Sequence, residues 1–159
     1  YDILEQDKKD AVEQADYYKA VNRLYEIDEL HRAGEYEKAA DMLLLMKTVE
    51  FKGEATDKFN KLMETVMPKA AKAAYDYGYR QYNSRNYQEA LKSFEKVEMY
   101  DPNYSKMDAV YYFMGRSCQL LQDSRSAVAF YQKLLEKYPK SGYVRSAKAR
   151  LNELTKNNP

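Results

Sequence analysis

The stretch Gly78-Tyr79-Arg80-Gln81-Tyr82-Asn83-Ser84-Arg85-Asn86-Tyr87-Gln88-Glu89-Ala90-Leu91-Lys92-Ser93-Phe94-Glu95-Lys96-Val97, closed by Pro102, decides the fold because the chain repeats its pattern. Counted from Gly78, the marked positions are Tyr87, Ala90, Phe94, Val97 and Pro102. Counted from Gly115 at identical offsets, they are Ser124, Ala127, Tyr131, Leu134 and Pro139. Only the first of these offsets changes character. The residue types have a physical sense. Gly78 and Gly115 let a first helix approach its partner closely, and Ala90 and Ala127 do the same from the second helix. Large Phe94 and Tyr131 then fill the wedge between successive hairpins. Pro102 and Pro139 prevent the second helix from continuing.

This small–large alternation resembles the tetratricopeptide repeat, a helix–turn–helix unit of about 34 residues. The likeness covers 71–104 and 108–141. It implies an all-α chain: a right-handed superhelix of antiparallel helix hairpins with about seven or eight helices. A worn copy lies upstream at the same offsets, as Ile27, Tyr36, Ala39, Leu43, Met46 and Phe51, with Ile27 in place of the small residue and Phe51 in place of proline. Its turn, Ala33-Gly34-Glu35-Tyr36-Glu37-Lys38-Ala39, nevertheless reads like a turn of the family.

Irregular spacing extends the picture outward. Gly78 and Gly115 are 37 residues apart, which places three extra residues near Ser105–Met107. Ile27 and Gly78 are 51 apart, room for one further helix. Phe59, Leu62, Met63 and Val66 recur there at helical spacing. Pro68 permits either a kink or a fresh start, and one long bent helix from about Glu54 to Asn83 satisfies both. Ser141 is expected to N-cap a last helix, with Val144, Ala147, Leu151 and Leu154 inward and Arg145, Lys148, Arg150 and Lys156 mostly outward. Such a helix would cap the solenoid. Ile3 through Tyr18 is polar, and suits either the tail of an upstream coiled coil or the first turns of the helix holding Val21–Leu30. The expected organisation is one domain: an N-terminal helix over 1–19, the divergent repeat over 20–53, the extra helix over 54–70, regular repeats over 71–104 and 108–141, and the cap over 142–159.

Composition agrees with helices. Hydrophobic residues make up 45% and charged ones 32%, so a core can form. Five Gly and four Pro are too few for an all-β chain with its frequent turns. Net charge is +1, which gives no polybasic surface for nucleic acid or membrane. The charge is uneven: residues 1–80 hold 13 basic and 17 acidic side chains, residues 81–159 hold 13 and 8. Scattered surface charge and an electrostatic preference in assembly are both open. No apolar run approaches the roughly 18 residues of a membrane span.

Catalytic chemistry finds little to use. Cys118 is the only cysteine, which excludes an internal disulfide and a multi-thiolate zinc site; it is expected to be a small buried filler. His31, the only histidine, lies near a helix end, where a surface cation complementing the dipole is expected. Roughly two repeats separate the two, so no Cys–His nucleophile follows. No phosphate loop, HExxH helix or acidic calcium loop occurs. Neither a catalytic residue, a metal nor a cofactor is expected.

The 17 tyrosines carry more. In the family, first helices line a concave groove. Carried onto this chain, that implies Lys72, Tyr75, Asp76, Tyr79, Tyr82 and Asn83 in one repeat and Ala109, Tyr112, Phe113, Arg116, Gln119 and Leu120 in the next. Rigid amphipathic aromatics are favoured at binding surfaces. The candidate partner-binding groove is therefore Tyr75, Tyr79, Tyr82, Asn83, Tyr112, Arg116 and Gln119. Tyr77 and Tyr111 fit better as fillers between helices, with hydroxyls reaching water. Relatives that clamp chaperone C-termini do so with Lys, Asn and Arg. The matching positions here are Leu24, Asp28, Asp76, Ala109 and Phe113, which cannot grip a carboxylate.

The segment Glu136-Lys137-Tyr138-Pro139-Lys140-Ser141-Gly142-Tyr143, followed by Ala147, Arg150 and Leu151, looks like the ending of bacterial envelope repeat proteins. These include the Tol–Pal accessory protein and the outer-membrane assembly lipoprotein. The order of elements is also similar to membrane-anchored repeat proteins. The resemblance implies an extracytoplasmic domain tethered by a segment before Tyr1, with a cytoplasmic location as the alternative. The expected function is a non-catalytic scaffold of the bacterial envelope that binds a peptide or partner helix. A cell-wall or carbohydrate-binding module and a weakly self-assembling structural domain are the other readings.

Overall fold

A computed structural model describes residues 2–156 of the chain. Seven helices and no strand occur among them: α1 (Asp2–Arg32), α2 (Tyr36–Leu45), α3 (Glu54–Asn83), α4 (Tyr87–Tyr100), α5 (Met107–Leu120), α6 (Ser124–Lys137) and α7 (Val144–Lys156). The chain divides after Ala70 into two compact units, and α3 runs through the division.

In the first unit, α1 pairs with α2 through Ala20, Leu24 and Ile27 on one side and Ala39, Ala40 and Leu43 on the other, all buried. Phe51 lies between Tyr17 and Phe59, with ring centres 6.3 and 5.2 Å away, and the Tyr17 hydroxyl accepts from the Lys52 amide at 3.0 Å. Phe51, standing where the regular repeats have proline, is thus a packing residue. The expected long helix is present as one element, with Pro68 inside it. The N-terminal stretch is likewise continuous with the helix that follows, since α1 is unbroken from Asp2 to Arg32.

The second unit has the sequence repeat written into its packing. A Cβ placed on Gly78 would lie 2.9 Å from the Phe94 ring, and one on Gly115 only 2.5 Å from the Tyr131 ring. These are the close helix approaches that the spacing implied, α3 onto α4 and α5 onto α6. Phe94, Val97, Tyr131 and Leu134 are fully buried. Ser93, also buried, donates to the Ala74 carbonyl at 2.6 Å and ties the same pair of helices. The loop over 101–106 accommodates the three extra residues. In α7, Ala147 is buried, while Val144, Leu151 and Leu154 are half-covered. The last three residues assigned to the cap, 157–159, lie outside the described residues.

The worn repeat shares the turn geometry of the other two. The residue seven after Ile27, Gly78 and Gly115 is Gly34, Arg85 and Gln122, and all three have left-handed φ, at 80°, 64° and 64°. Each hairpin turn closes with the same pair of hydrogen bonds. Gly34 N–H donates to the His31 carbonyl and Glu35 N–H to that of Leu30; Arg85 and Asn86 do so to Tyr82 and Gln81; Gln122 and Asp123 to Gln119 and Cys118. This is the Schellman helix ending, which satisfies the last carbonyls of the first helix. One geometry recurs three times, although only the first copy has glycine at the left-handed position.

Two local expectations are corrected. Ser141 does not cap α7. Its hydroxyl accepts from the Tyr143 amide at 3.1 Å and donates to Asp108 Oδ2, so the chain turns once more, and Tyr143 offers the first helical carbonyl, to Ala147 N–H at 2.9 Å. Tyr77 is not an interhelical filler but 40% exposed, with Arg80 over its ring. Ala74 and Gly78, one turn apart, take the contact with α4, and a residue next to Gly78 points about 100° away.

An aromatic face on the second unit

The expected groove residues come from α3 and α5, and the structure links them to α7 through rings. Tyr75 and Tyr79, one turn apart on α3, stack with centres 6.2 Å apart. Tyr79 and Tyr82 both meet Phe113 of α5, at 5.3 and 4.9 Å. Phe113 and Tyr112 then meet Tyr143, at 5.9 and 5.1 Å. Tyr104 closes the other edge against Tyr75 at 5.6 Å. The contacts make one continuous layer of rings across α3, α5 and the residue before α7.

Members differ in what they offer to a ligand. Tyr75 is mostly covered, at 8% exposure, and so is Phe113, at 9%. Both act as floor. Tyr79 is 41% exposed, while Tyr82, Tyr112, Tyr104 and Tyr143 are half-buried and Asn83 is exposed. Burial pushes the Tyr75 phenol up to about 12, helped by Tyr143, Tyr104 and Tyr79 around it. Burial also raises Tyr104 and Tyr143. These phenols stay neutral at ordinary pH and present hydroxyl dipoles.

Part of the charge on this face is paired within it. Lys72 bonds Asp76 at 2.8 Å, and that contact raises the lysine. Lys106 lies 5.3 Å above the Tyr75 ring. At the far end a polar chain is built around Gln119. Its carbonyl oxygen accepts from Arg116 at 3.1 Å and from the Tyr131 hydroxyl at 2.8 Å, and its amide donates to Glu153 at 3.3 Å. Glu153 pairs with Arg150 at 3.2 Å, which holds the carboxyl below its usual range. Tyr112, beside Arg150, helps to raise its guanidinium. Arg116 forms no ion pair within 4.0 Å among the described residues, donates to Gln119, and is close enough to Glu153 to help lower its carboxyl.

Sequence reasoning missed Tyr104, Tyr143 and Arg150. Tyr143 had a signal, since it stands in the quoted Ser-Gly-Tyr ending; it enters the face because Ser141 delays the start of α7. Lys72 and Asp76 occupy each other, and Ala109 lies buried at 3% exposure. Leu120 is 41% exposed, at the end of α5.

The remaining candidates are placed as follows. Cys118 is the expected filler, 1% exposed, and burial pushes its thiol up to about 11. His31 lies in the last turn of α1, as expected, with Lys69 Nζ 2.9 Å from its Nε2. Tyr111 is a filler, as expected, but its hydroxyl donates to Glu98 at 2.9 Å rather than to water. The first unit has a separate cleft of about 450 Å³ lined by Val21, Tyr25, Lys58 and Lys61, with Lys58 lying 4.5 Å over the Tyr25 ring. No group of three His, Cys, Asp or Glu among the described residues is placed to share a metal ion, and no described helix is long and apolar enough to cross a membrane. No protein-family model and no curated protein matches the sequence significantly.

Proposed function

We propose that the chain is a non-catalytic binding scaffold of the tetratricopeptide kind, which holds a peptide segment or helix of another protein against the tyrosine face of α3, α5 and α7. The observation that carries this is the continuity of the rings from Tyr104 to Tyr112, floored by Tyr75 and Phe113. A face of helices exposes no backbone edge, so a peptide cannot be held by strand addition. It must be held by side chains, and half-buried tyrosines supply area and hydroxyl groups at small entropic cost. Arg116 and Asn83 stand at one end to fix register. The Tyr-Pro-Lys-Ser ending and the order of elements support a bacterial envelope protein, tethered outside the cytoplasm.

A phage-displayed peptide library selected on the purified chain tests the reading. Selected peptides should give saturable calorimetric isotherms, and Tyr79→Ala or Arg116→Ala should each weaken them by tenfold or more with the helical circular-dichroism signal intact. Equal binding by the wild type and both variants would move the site elsewhere. Co-sedimentation with purified peptidoglycan, lost in the same variants, would favour the cell-wall alternative.

A further inference from the structure

The first half of α1 is a helix left uncovered among the described residues. Residues 2–16 are all exposed. On one side Leu4, Ala11, Val12, Ala15 and Tyr18 recur at helical spacing, with Leu4 64% and Val12 61% exposed. Around them stand Asp2, Glu5, Asp7, Asp10, Glu13 and Asp16 against only Lys8 and Lys9, a net charge of −4. Internal support is slight: Gln6 donates to Asp10 at 2.9 Å, and no ion pair forms within this segment among the described residues. A short helix with so little support is marginal in water unless its apolar side is covered.

The surface of complementary character is on α7. Arg145, Lys148 and Lys156 are exposed along it, beside half-covered Val144, Leu151 and Leu154. Its one acid, Glu153, is already engaged by Arg150. The same opposition holds at larger scale. Residues 1–70 carry 11 basic and 16 acidic side chains, whereas 71–159 carry 15 and 9.

We propose that the chain self-associates by laying the acidic helical arm, residues 2–16, of one copy along the basic outward side of α7 of another. The contact joins two different surfaces, so it is heterologous and leaves each pair with one arm and one α7 still open. Opposite charges steer and register the contact, while Leu4 and Val12 supply the apolar contact. Pairing of two arms as a coiled coil would instead set −4 against −4. The two arrangements therefore respond to salt in opposite directions.

Sedimentation velocity of the chain at low ionic strength is the test. The sedimentation coefficient should rise with concentration into the high micromolar range and fall back to the monomer value as salt is added. A double reversal on α7 (Arg145→Glu with Lys148→Glu) and one on the arm (Glu5→Lys with Asp16→Lys) should each sediment as monomer. All four positions are exposed, so circular dichroism should match the wild type. An equimolar mixture of the two variants should associate again, since each copy then meets an opposite charge. A wild type that stays monomeric throughout overturns the proposal. So does association that survives the α7 reversal, or association that strengthens with salt as an arm-to-arm coiled coil would.

Discussion

Single atoms decide the closest approach in the molecule. A methyl group on Gly115 would lie 2.5 Å from a Tyr131 ring that is itself fully buried and has no room to swing away. Gly115→Ala should therefore lose about 1–3 kcal/mol to overpacking, less the roughly 1 kcal/mol that alanine gains over glycine in a helix. In a Tyr131→Leu background the same substitution should be milder, which urea denaturation of the double-mutant cycle would show. The worn repeat already contains that solution, with Ile27 in the glycine position and Leu43 in the aromatic one. At the turns, Arg85 and Gln122 hold φ of 64°, which disfavours a side chain by roughly 1–2 kcal/mol. Glycine removes that strain but adds chain entropy to the unfolded state. Gln122→Gly should raise stability by about 0.5–1 kcal/mol, and a lower urea midpoint for the variant would contradict it.

Helices in this chain are held by very different means. The α5 helix is covered along most of its length, with Val110, Tyr111, Met114 and Cys118 buried. The α1 helix changes character midway, from exposed residues up to Asp16 to buried Ala20, Leu24 and Ile27. Tertiary contact is what stabilises most helical segments, and local opening follows its absence. At dilutions where the chain is monomeric, amides of residues 2–16 should exchange with solvent orders of magnitude faster than those of α5. Hydrogen-exchange mass spectrometry would read this directly, and equal protection would show that the arm is covered within one molecule. The α3 helix carries Pro68 without a break in its assignment, although proline removes one hydrogen bond of the ladder.

At the scale of the molecule, buried phenols link stability to pH. Burial holds Tyr75 at about 12 and pushes Tyr111 and Tyr131 up as well. In the unfolded chain a tyrosine ionises near pH 10. Between that value and the folded one, the native state keeps more protons than the unfolded state, so stability falls as pH rises. The contribution is complete below pH 10 and lost above it. Denaturation midpoints should be flat with respect to these groups up to about pH 10 and then decline, with a shallower decline in Tyr75→Phe. An identical slope in that variant would show that Tyr75 does not take part.

The sequence by itself determined the helical hairpins. A glycine and an aromatic sixteen residues apart, an alanine between them and a proline beyond are local requirements of two helices in close contact, and each residue type states its requirement without help. The long α3 and the buried Cys118 were legible for the same reason. Tertiary structure alone decided what each tyrosine does. Position on a helix gives a side chain's direction to within a turn, but whether Tyr75 is floor and Tyr79 surface depends on what α4, α5 and the residues before α7 bring against them. Tyr104 joins the face from a loop, Tyr143 from the residue before a delayed helix start and Arg150 from within α7, whose position is set by contacts such as Ser141 with Asp108. Those contacts join residues distant in sequence, and no periodicity records them.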